Sequence, residues 1–172
     1  MIETKRLHLR SMVPEDTEDL LEIFTDPRVM ESFGVPPFTR EQMTGWIDCN
    51  LAHQDEHGYG LFSVILKSEN KLIGDCGLEH MVLDGHDIVE LGYDIASHYW
   101  GRGLATEAAE AVRDFAFTNL DLQELVSLIQ THNLASQRVS EKLGMQLRRT
   151  FLRNGREYAL YSIMRKDGQQ AL

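Results

Sequence analysis

Long apolar segments and cysteines are both scarce in this sequence of 172 residues. No apolar run approaches the roughly 18 residues that a membrane-spanning helix requires, and the polar segment Met1–Arg6 is not followed by the apolar stretch of a signal peptide. The two cysteines, Cys49 and Cys76, are too far apart for a metal knuckle or a redox pair, and we expect buried thiols. We therefore expect a cytoplasmic protein with no membrane contact.

Basic residues are also in short supply. The chain has 17 lysines and arginines against 27 aspartates and glutamates, a formal net charge of −10 at pH 7. This balance argues against nucleic-acid and anionic-membrane partners, since both need a basic surface. An acidic surface is compatible with cationic substrates such as amines or basic peptides, but it also serves solubility alone.

Several motifs of nucleotide, metal and nucleophile sites are missing. The sequence has no Gly-Lys-Ser/Thr of a P-loop, no complete G-x-G-x-x-G and no recognisable nucleophile elbow. His53 and His57 are spaced like the histidines of H-E-x-x-H, but the glutamate stands at position 56 instead of 54. Gly58 follows directly, so we interpret this stretch as a solvated, fraying helix end and expect no metal.

The segment Trp100–Ala108 is the most informative part of the chain. It follows an apolar strand-like segment and leads directly into an alanine-rich helical pattern. The first amides of a helix are unpaired and lie at the positive end of its dipole, and Gly101 and Gly103 let a bulky anion approach the main chain. A turn without a lysine favours a pyrophosphate held mainly by backbone amides. A tight strand-to-helix turn without a ligand is the alternative interpretation.

The hydrophobic pattern predicts a single domain over residues 1–166 and a frayed tail at 167–172. The predicted order of elements, β-α-α-β-β-β-α-β-α-β-β, describes a mixed α/β (α+β) layer structure. The seven predicted strands are 6–10, 59–66, 72–82, 88–95, 125–129, 146–152 and 157–164. Four helices are predicted. The first begins at Pro14 and stops at Asp26-Pro27, and the second begins with a capping box at Thr39–Gln42. The third runs from Leu104 to about Asn119, and the fourth from about Leu134 to Leu143.

Three blocks in this order, Glu90–Ile95, Tyr99–Ala108 and Asn133–Met145, resemble the GNAT superfamily of acyl-CoA-dependent N-acetyltransferases. The opening segment Thr4–Arg10 is similar to the RimJ/RimL-type branch, whose known members acetylate protein N-termini. The resemblance covers almost the whole chain. It implies a mixed, mostly antiparallel seven-stranded sheet with about four helices on its faces, splayed between the fourth and fifth strands.

The resemblance also implies how acetyl-CoA, the co-substrate, would bind. The glycine turn would hold the pyrophosphate, and the free edge of the fourth strand would pair with the pantetheine arm. Gly92 would form a bulge that turns one N–H toward the thioester carbonyl. The implied cofactor-binding residues are Tyr93, Asp94, Ile95, Gly101, Arg102, Gly103, Leu104, Ala105, Thr106, Asn133, Ser136, Arg138 and Lys142.

For catalysis, the resemblance implies Glu90 as the general base that assists amine deprotonation, through water. Ser136 matches the serine that RimJ/RimL-type enzymes are proposed to use near the departing thiolate. Many other GNAT members place a tyrosine acid four residues later, where this chain has Ser140. The general acid is therefore Ser136, Ser140 or neither of them.

The predicted function is transfer of an acetyl group from acetyl-CoA to a primary amine by direct attack in a ternary complex. The acceptor is a protein N-terminus, a peptide or a small amine, and a homodimer is compatible with the family. The departure at Ser140 leaves one alternative, a non-catalytic acyl-CoA-binding or regulatory module on the same fold.

Overall fold

A mixed eight-stranded sheet forms the centre of the fold in the computed structural model, which describes residues 1–166. The predicted tail at 167–172 lies outside the described residues. The spatial order of the strands is β1-β2-β3-β4-β5-β6-β8-β7, and every neighbouring pair is antiparallel except the parallel pair β5 and β6. The strands are β1 Ile2–Glu3, β2 Leu7–Ser11, β3 Leu61–Leu66, β4 Lys71–Leu83, β5 His86–Ile95, β6 Glu124–Gln130, β7 Gln146–Arg153 and β8 Arg156–Met164.

Within residues 1–166, five α-helices cover this sheet. They are α1 Thr17–Ile23, α2 Pro27–Phe33, α3 Arg40–His57, α4 Leu104–Thr118 and α5 Leu134–Lys142, with short 3-10 turns at Pro14–Asp16 and Ser97–Tyr99. The predicted fold class is confirmed. The numbers differ slightly, because β1 adds an eighth strand of two residues and α2 adds a fifth helix. No helix within residues 1–166 is long and apolar enough to cross a membrane.

The first predicted helix ends before Asp26-Pro27, as expected, but Pro27 also begins α2, a helix that the sequence did not predict. The Asp26 side chain accepts a hydrogen bond from the Arg28 amide at 2.9 Å and so caps the new helix. Proline is tolerated at the first helical position, where the amide hydrogen it lacks would be unpaired. Gly34, in the left-handed conformation with φ 61°, then ends the helix.

The capping box before α3 is confirmed, with Thr39 and Gln42 bonded to each other's backbone amides. The helix ends at His57, before Gly58, as expected, but the interpretation of this end as solvated and fraying is wrong, because the ring of His53 makes two hydrogen bonds. The ring of His53 contacts the carbonyl of Tyr59 at 2.9 Å and accepts from the amide of His80 at 2.8 Å. These bonds anchor the end of the helix to β4.

The two predicted buried thiols have different environments. Cys76 is buried, but Cys49 lies exposed on α3, and both are free. The described part of the chain contains no group of three side chains able to hold a metal ion.

The two faces of the sheet have different coverings. On one face, Phe62 of β3 packs edge-on against Phe115 of α4, with ring centroids 6.2 Å apart. On the other face, the Ser63 hydroxyl donates to the Asp16 carboxylate just before α1, at 2.7 Å. Because side chains alternate along a strand, odd-numbered residues of β3 and β4 around Ser63 face α1 and α3.

The strands β5 and β6 are paired at a single register position, Glu90 with Val126. The splay predicted between these strands is therefore present. The predicted bulge at Gly92 is wrong with respect to β4, because the register of β4 and β5 is continuous from Gly74–Ile95 to Leu83–His86. After Glu90, the edge of β5 that faces β6 is therefore unpaired, and β5 has no bulge on the β4 side.

Candidate active site

The glycine turn delivers an uncapped helix N-terminus. Gly101 and Gly103 both have φ 75°, in the left-handed region that favours glycine, and α4 begins directly afterwards at Leu104. No side chain caps this helix, and its first backbone bond runs from the amide of Glu107 to Gly103. The preceding amides are therefore available to an anion at the positive end of a 15-residue helix.

The carboxylate of Glu107 is turned away from these amides toward the N-terminal strands. Its oxygens accept hydrogen bonds from the Thr4 hydroxyl at 2.6 Å, the Arg6 amide at 2.8 Å and the Arg6 guanidinium at 2.6 Å. Burial alone would raise the pKa of Glu107, but these bonds outweigh it and lower the pKa. Arg6 also donates to the Arg102 carbonyl at 2.9 Å, which anchors the glycine turn.

The edge of β5 after Glu90 faces the splay. The indole N–H of Trp100 donates to the Ile95 carbonyl at 2.6 Å and covers the end of this edge. The Tyr93 hydroxyl crosses to α5, where it donates to the Ser136 carbonyl at 2.8 Å and lies 3.2 Å from the Ser140 hydroxyl. Burial raises the pKa of Tyr93. The main chain of residues 91–95 is thus left without a strand partner on the β6 side.

Glu90 lies where the two strands part. One carboxylate oxygen accepts from the Leu128 amide of β6 at 3.1 Å. Burial raises the pKa of Glu90 to about 7, and repulsion from Glu79 and Asp94 adds to the rise. The hydrogen bond from Leu128 and the charge of Arg153 act in the opposite direction and lower the pKa. A half-buried carboxyl that titrates near neutrality is suited to accept a proton.

Helix α5 forms the other side of the splay. Asn133 caps it by accepting from the Ser136 amide at 3.1 Å. Ser136 is half-buried, whereas Ser140 is completely buried against Tyr93. Of the two candidate acids, Ser136 is therefore the one with access to the groove. The remaining predicted cofactor residues of this helix, Arg138 and Lys142, are exposed on its surface.

Two acidic residues of β4 were missed by the sequence reasoning. Glu79 lies directly opposite Glu90, and Asp75 lies directly opposite Asp94. Their spacing, four positions apart on one face of a mostly apolar strand, was the available signal, but the pairing partner of each is decided by strand register.

A separate cavity of about 450 Å³ lies at the far end of the sheet, between α4, α5 and the last hairpin. Arg113, Phe117, Arg148 and Ile163 are among the residues that line it. None of the predicted site residues contributes to this cavity, so the splay remains the candidate active site.

Known proteins show the same sequence pattern and fold. The N-acetyltransferase p20 of Bacillus licheniformis, itself uncharacterized, is 32% identical over 83% of this chain and 80% of its own length. An acetyltransferase from Agrobacterium tumefaciens has a crystal structure with a TM-score of 0.82 and 30% identity, covering 95% of this chain and 94% of its own. RimL, a ribosomal alpha-N-protein acetyltransferase in complex with coenzyme A, shares the fold at 16% identity, with a TM-score of 0.78 over 94% of this chain and 95% of its own.

Residues 6–146 match the acetyltransferase (GNAT) domain family. The match spans most of the chain, so the protein belongs to the GNAT family and is an N-acetyltransferase of that class. The neighbour with coenzyme A bound shows that this fold is one that accommodates the coenzyme.

Proposed function

We propose that the protein transfers an acetyl group from acetyl-CoA to a primary amine, a protein N-terminus or a small amine, by direct attack in a ternary complex. The observation that carries this proposal is the position of the Glu90 carboxyl, which accepts from the Leu128 amide at the point where β5 and β6 separate, and burial there raises its pKa to about 7. A base that is half ionised near pH 7 can take a proton from an ammonium and return it to solvent.

In this proposal the uncapped N-terminus of α4 binds the pyrophosphate through the amides of Leu104, Ala105 and Thr106. The free edge of Tyr93–Ile95 pairs with the pantetheine arm as an additional strand would. Asn133 adds a polar contact to the arm. The exposed cations Arg102, Arg138 and Lys142 lie on the turn and on α5, where they can contact the outer phosphates.

The chemistry then requires two proton movements. Glu90, through water, takes one proton from the substrate ammonium, and the freed nitrogen attacks the thioester carbonyl carbon. A C–N bond forms, the C–S bond breaks and the coenzyme leaves as a thiolate, while the attacking nitrogen, still carrying one proton too many, releases it to solvent water to give the neutral amide. The Ser136 hydroxyl donates a hydrogen bond to this sulfur and stabilises it until it is protonated.

The test combines calorimetry of acetyl-CoA binding with a measurement of thiol release in the presence of mixed amines and basic peptides. We expect binding and amine-dependent thiol release, with Glu90→Gln strongly impaired in release and little changed in binding. Glu124→Gln, an exposed carboxyl at the start of β6, is the matched control and keeps wild-type rates. No binding of acetyl-CoA would disprove the proposal, and binding without thiol release for any amine would point to a non-catalytic acyl-CoA module.

A further inference from the structure

Four residues with carboxyl groups share one face of β4 and β5 beside the splay, and we call this face the floor of the groove. They form two pairs, and in each pair a residue of β4 lies directly opposite a residue of β5. We call Glu79 with Glu90 the Glu pair, and Asp75 with Asp94 the Asp pair. Directly opposed residues of an antiparallel sheet have Cα atoms only about 5 Å apart, so like charges within each pair repel each other.

Open space separates the two pairs. Gly92 lies between Glu90 and Asp94 on the same face of β5, and a Cβ built at Gly92 would meet no atom within 4 Å. The residue opposite, Gly77, is covered by the backbone of Gly60, since a Cβ there would collide with it. The space over Gly92 on β5 is therefore open, whereas the space over Gly77 is closed by the backbone of β3 and the residue before it. We call the open space over Gly92 the slot.

A buried oxygen without a partner points to a ligand at one end of this slot. Asp75 is 1% exposed, and its Oδ2 has no hydrogen-bond partner within residues 1–166. By contrast Asp16, 5% exposed on the same side of the sheet, accepts bonds from Arg10, Ser63 and the Val13 amide. The fold thus pairs one buried acid completely and leaves the other with an oxygen free for a donor on the face it shares with the slot.

The charges of the two pairs are also uncompensated. None of the ion pairs in the described ranges involves any of the four carboxyls. Burial, with repulsion from Glu79, raises the pKa of Asp94 to about 7, and burial followed by repulsion from Asp94 raises the pKa of Asp75. Arg153 of β7 opposes this effect only at Glu90. A bound cation would restore ionisation of these groups.

We propose that the acceptor is a linear di- or polyamine whose reacting nitrogen lies at the Glu pair and whose second ammonium binds at the Asp pair. This inference rests on the function proposed above, because it assigns the acceptor of the same site. The alkyl chain between the two nitrogens would cross over Gly92, where no side chain obstructs it. Glu90 and Asp94 are four residues apart on one strand, which separates their Cα atoms by about 13 Å.

The shape of the slot favours an alkylammonium over other cations. The near-complete burial of Asp75 and the backbone that covers Gly77 restrict the approach to a narrow path over Gly92, which suits a slender chain better than a planar guanidinium or a folded peptide. The absence of a three-ligand group in the described part of the chain disfavours a metal ion. An ammonium supplies three N–H donors, which suits a free carboxylate oxygen.

The experiment compares acetylation of straight-chain monoamines with that of the α,ω-diamines of equal length, from diaminoethane to diaminooctane, and of spermidine. We expect kcat/KM for the long diamines to exceed that of the matched monoamines by about tenfold or more, the value of one charge-assisted hydrogen bond. Diaminoethane is too short to reach both pairs, so its rate should approach that of the monoamine. The preference should fall as salt increases, because it is electrostatic.

Two variants remove the second cation site. Asp75→Asn and Asp94→Asn should each lower the ratio of the diamine rate to the monoamine rate to near one, mainly through KM for the diamine. Asp87→Asn changes an exposed carboxyl on β5, the strand that also carries Asp94, and should keep the wild-type ratio. The wild-type length series tests the proposal even where a buried variant fails to fold.

The outcomes separate this inference from the proposed function. Acetyl transfer at equal rates to monoamines and long diamines would overturn the inference and leave the acetyltransferase function standing. Faster transfer to dibasic peptides than to any diamine would overturn the assignment to a small acceptor. If no amine is acetylated, calorimetry with spermidine still decides: binding that Asp75→Asn abolishes supports the cation site, and no binding refutes it.

Discussion

Replacing Glu90 by glutamine should make the enzyme slower and, above neutral pH, more stable. Burial raises the pKa of Glu90 from the ordinary 4.5 to about 7. The folded state therefore holds a proton that the unfolded state has lost between those two values. Stability falls as pH rises through this window, and the full cost of the ionised Glu90 is present above pH 7. A neutral glutamine removes that cost, and its amide oxygen can still accept from the Leu128 amide.

The size of both effects follows from the same carboxyl. Each pKa unit corresponds to about 1.4 kcal/mol, so the shift at Glu90 gives an upper limit of about 3 kcal/mol for the gain in unfolding free energy. Loss of a general base lowers kcat by about a hundredfold or more. The wild-type rate should rise with pH through an inflection near 7, and the variant should lack that inflection.

Urea denaturation at pH 5 and pH 8.5, with kcat/KM over the same range, measures both effects. The gain in stability should be small at pH 5 and largest at pH 8.5. An inactive variant that is also less stable at pH 8.5 would refute the reasoning, because Glu90 would then be a structural residue. Unchanged activity would remove Glu90 from catalysis. Glu124→Gln, exposed on β6, should leave both quantities unaltered.

Three further predictions concern the turn, the serines and α3. Gly103→Ala places a Cβ on a residue with φ 75°, so it should lower the free energy of unfolding by about 1 kcal/mol and weaken acetyl-CoA binding in calorimetry. Gly45→Ala, in open space on α3, is the control and should raise the free energy of unfolding by up to about 1 kcal/mol. Ser140→Ala should lower the free energy of unfolding by about 1 kcal/mol without changing KM for acetyl-CoA. Ser136→Ala should lower kcat without loss of stability. If Ser140→Ala instead lowers kcat and Ser136→Ala lowers stability, the two serines exchange their roles. Burial lowers the pKa of His53, so its contribution to stability should decline as pH falls below 6.5, and His53→Gln should flatten the dependence of the urea midpoint on pH.

Local signals predicted most of the elements of this fold. The capping box at Thr39–Gln42 and the glycines before α4 act through bonds and dihedral angles within a few residues, so the sequence alone could place them. The Asp26-Pro27 pair separates α1 from the residues that follow, as predicted, but it also begins α2, which was not predicted. Whether a second helix follows depends on how the chain packs after Phe24, which local sequence does not contain.

The direction of the Glu107 side chain was also within reach of the sequence. A carboxylate in the first turn of α4 would repel a phosphate at the same amides, so this position by itself predicts another partner for the side chain. That partner is the N-terminal segment at Thr4 and Arg6, about a hundred positions away in the chain. Its identity depends on the packing of β1 and β2 beside α4.

The sequence by itself determined the class of the protein, the order of its elements and the positions of the glycine turn and Glu90. These follow from periodicity, turn chemistry and motif blocks, each carried by residues close together in the chain. Only the tertiary structure decided which side chains meet across strands. The register of β4 and β5 sets Asp75 against Asp94, and the crossover through α4 brings Tyr93 against Ser140. A shift of one residue in register would turn each of those acids to the opposite face of the sheet, so the acidic floor of the site exists only in the folded protein.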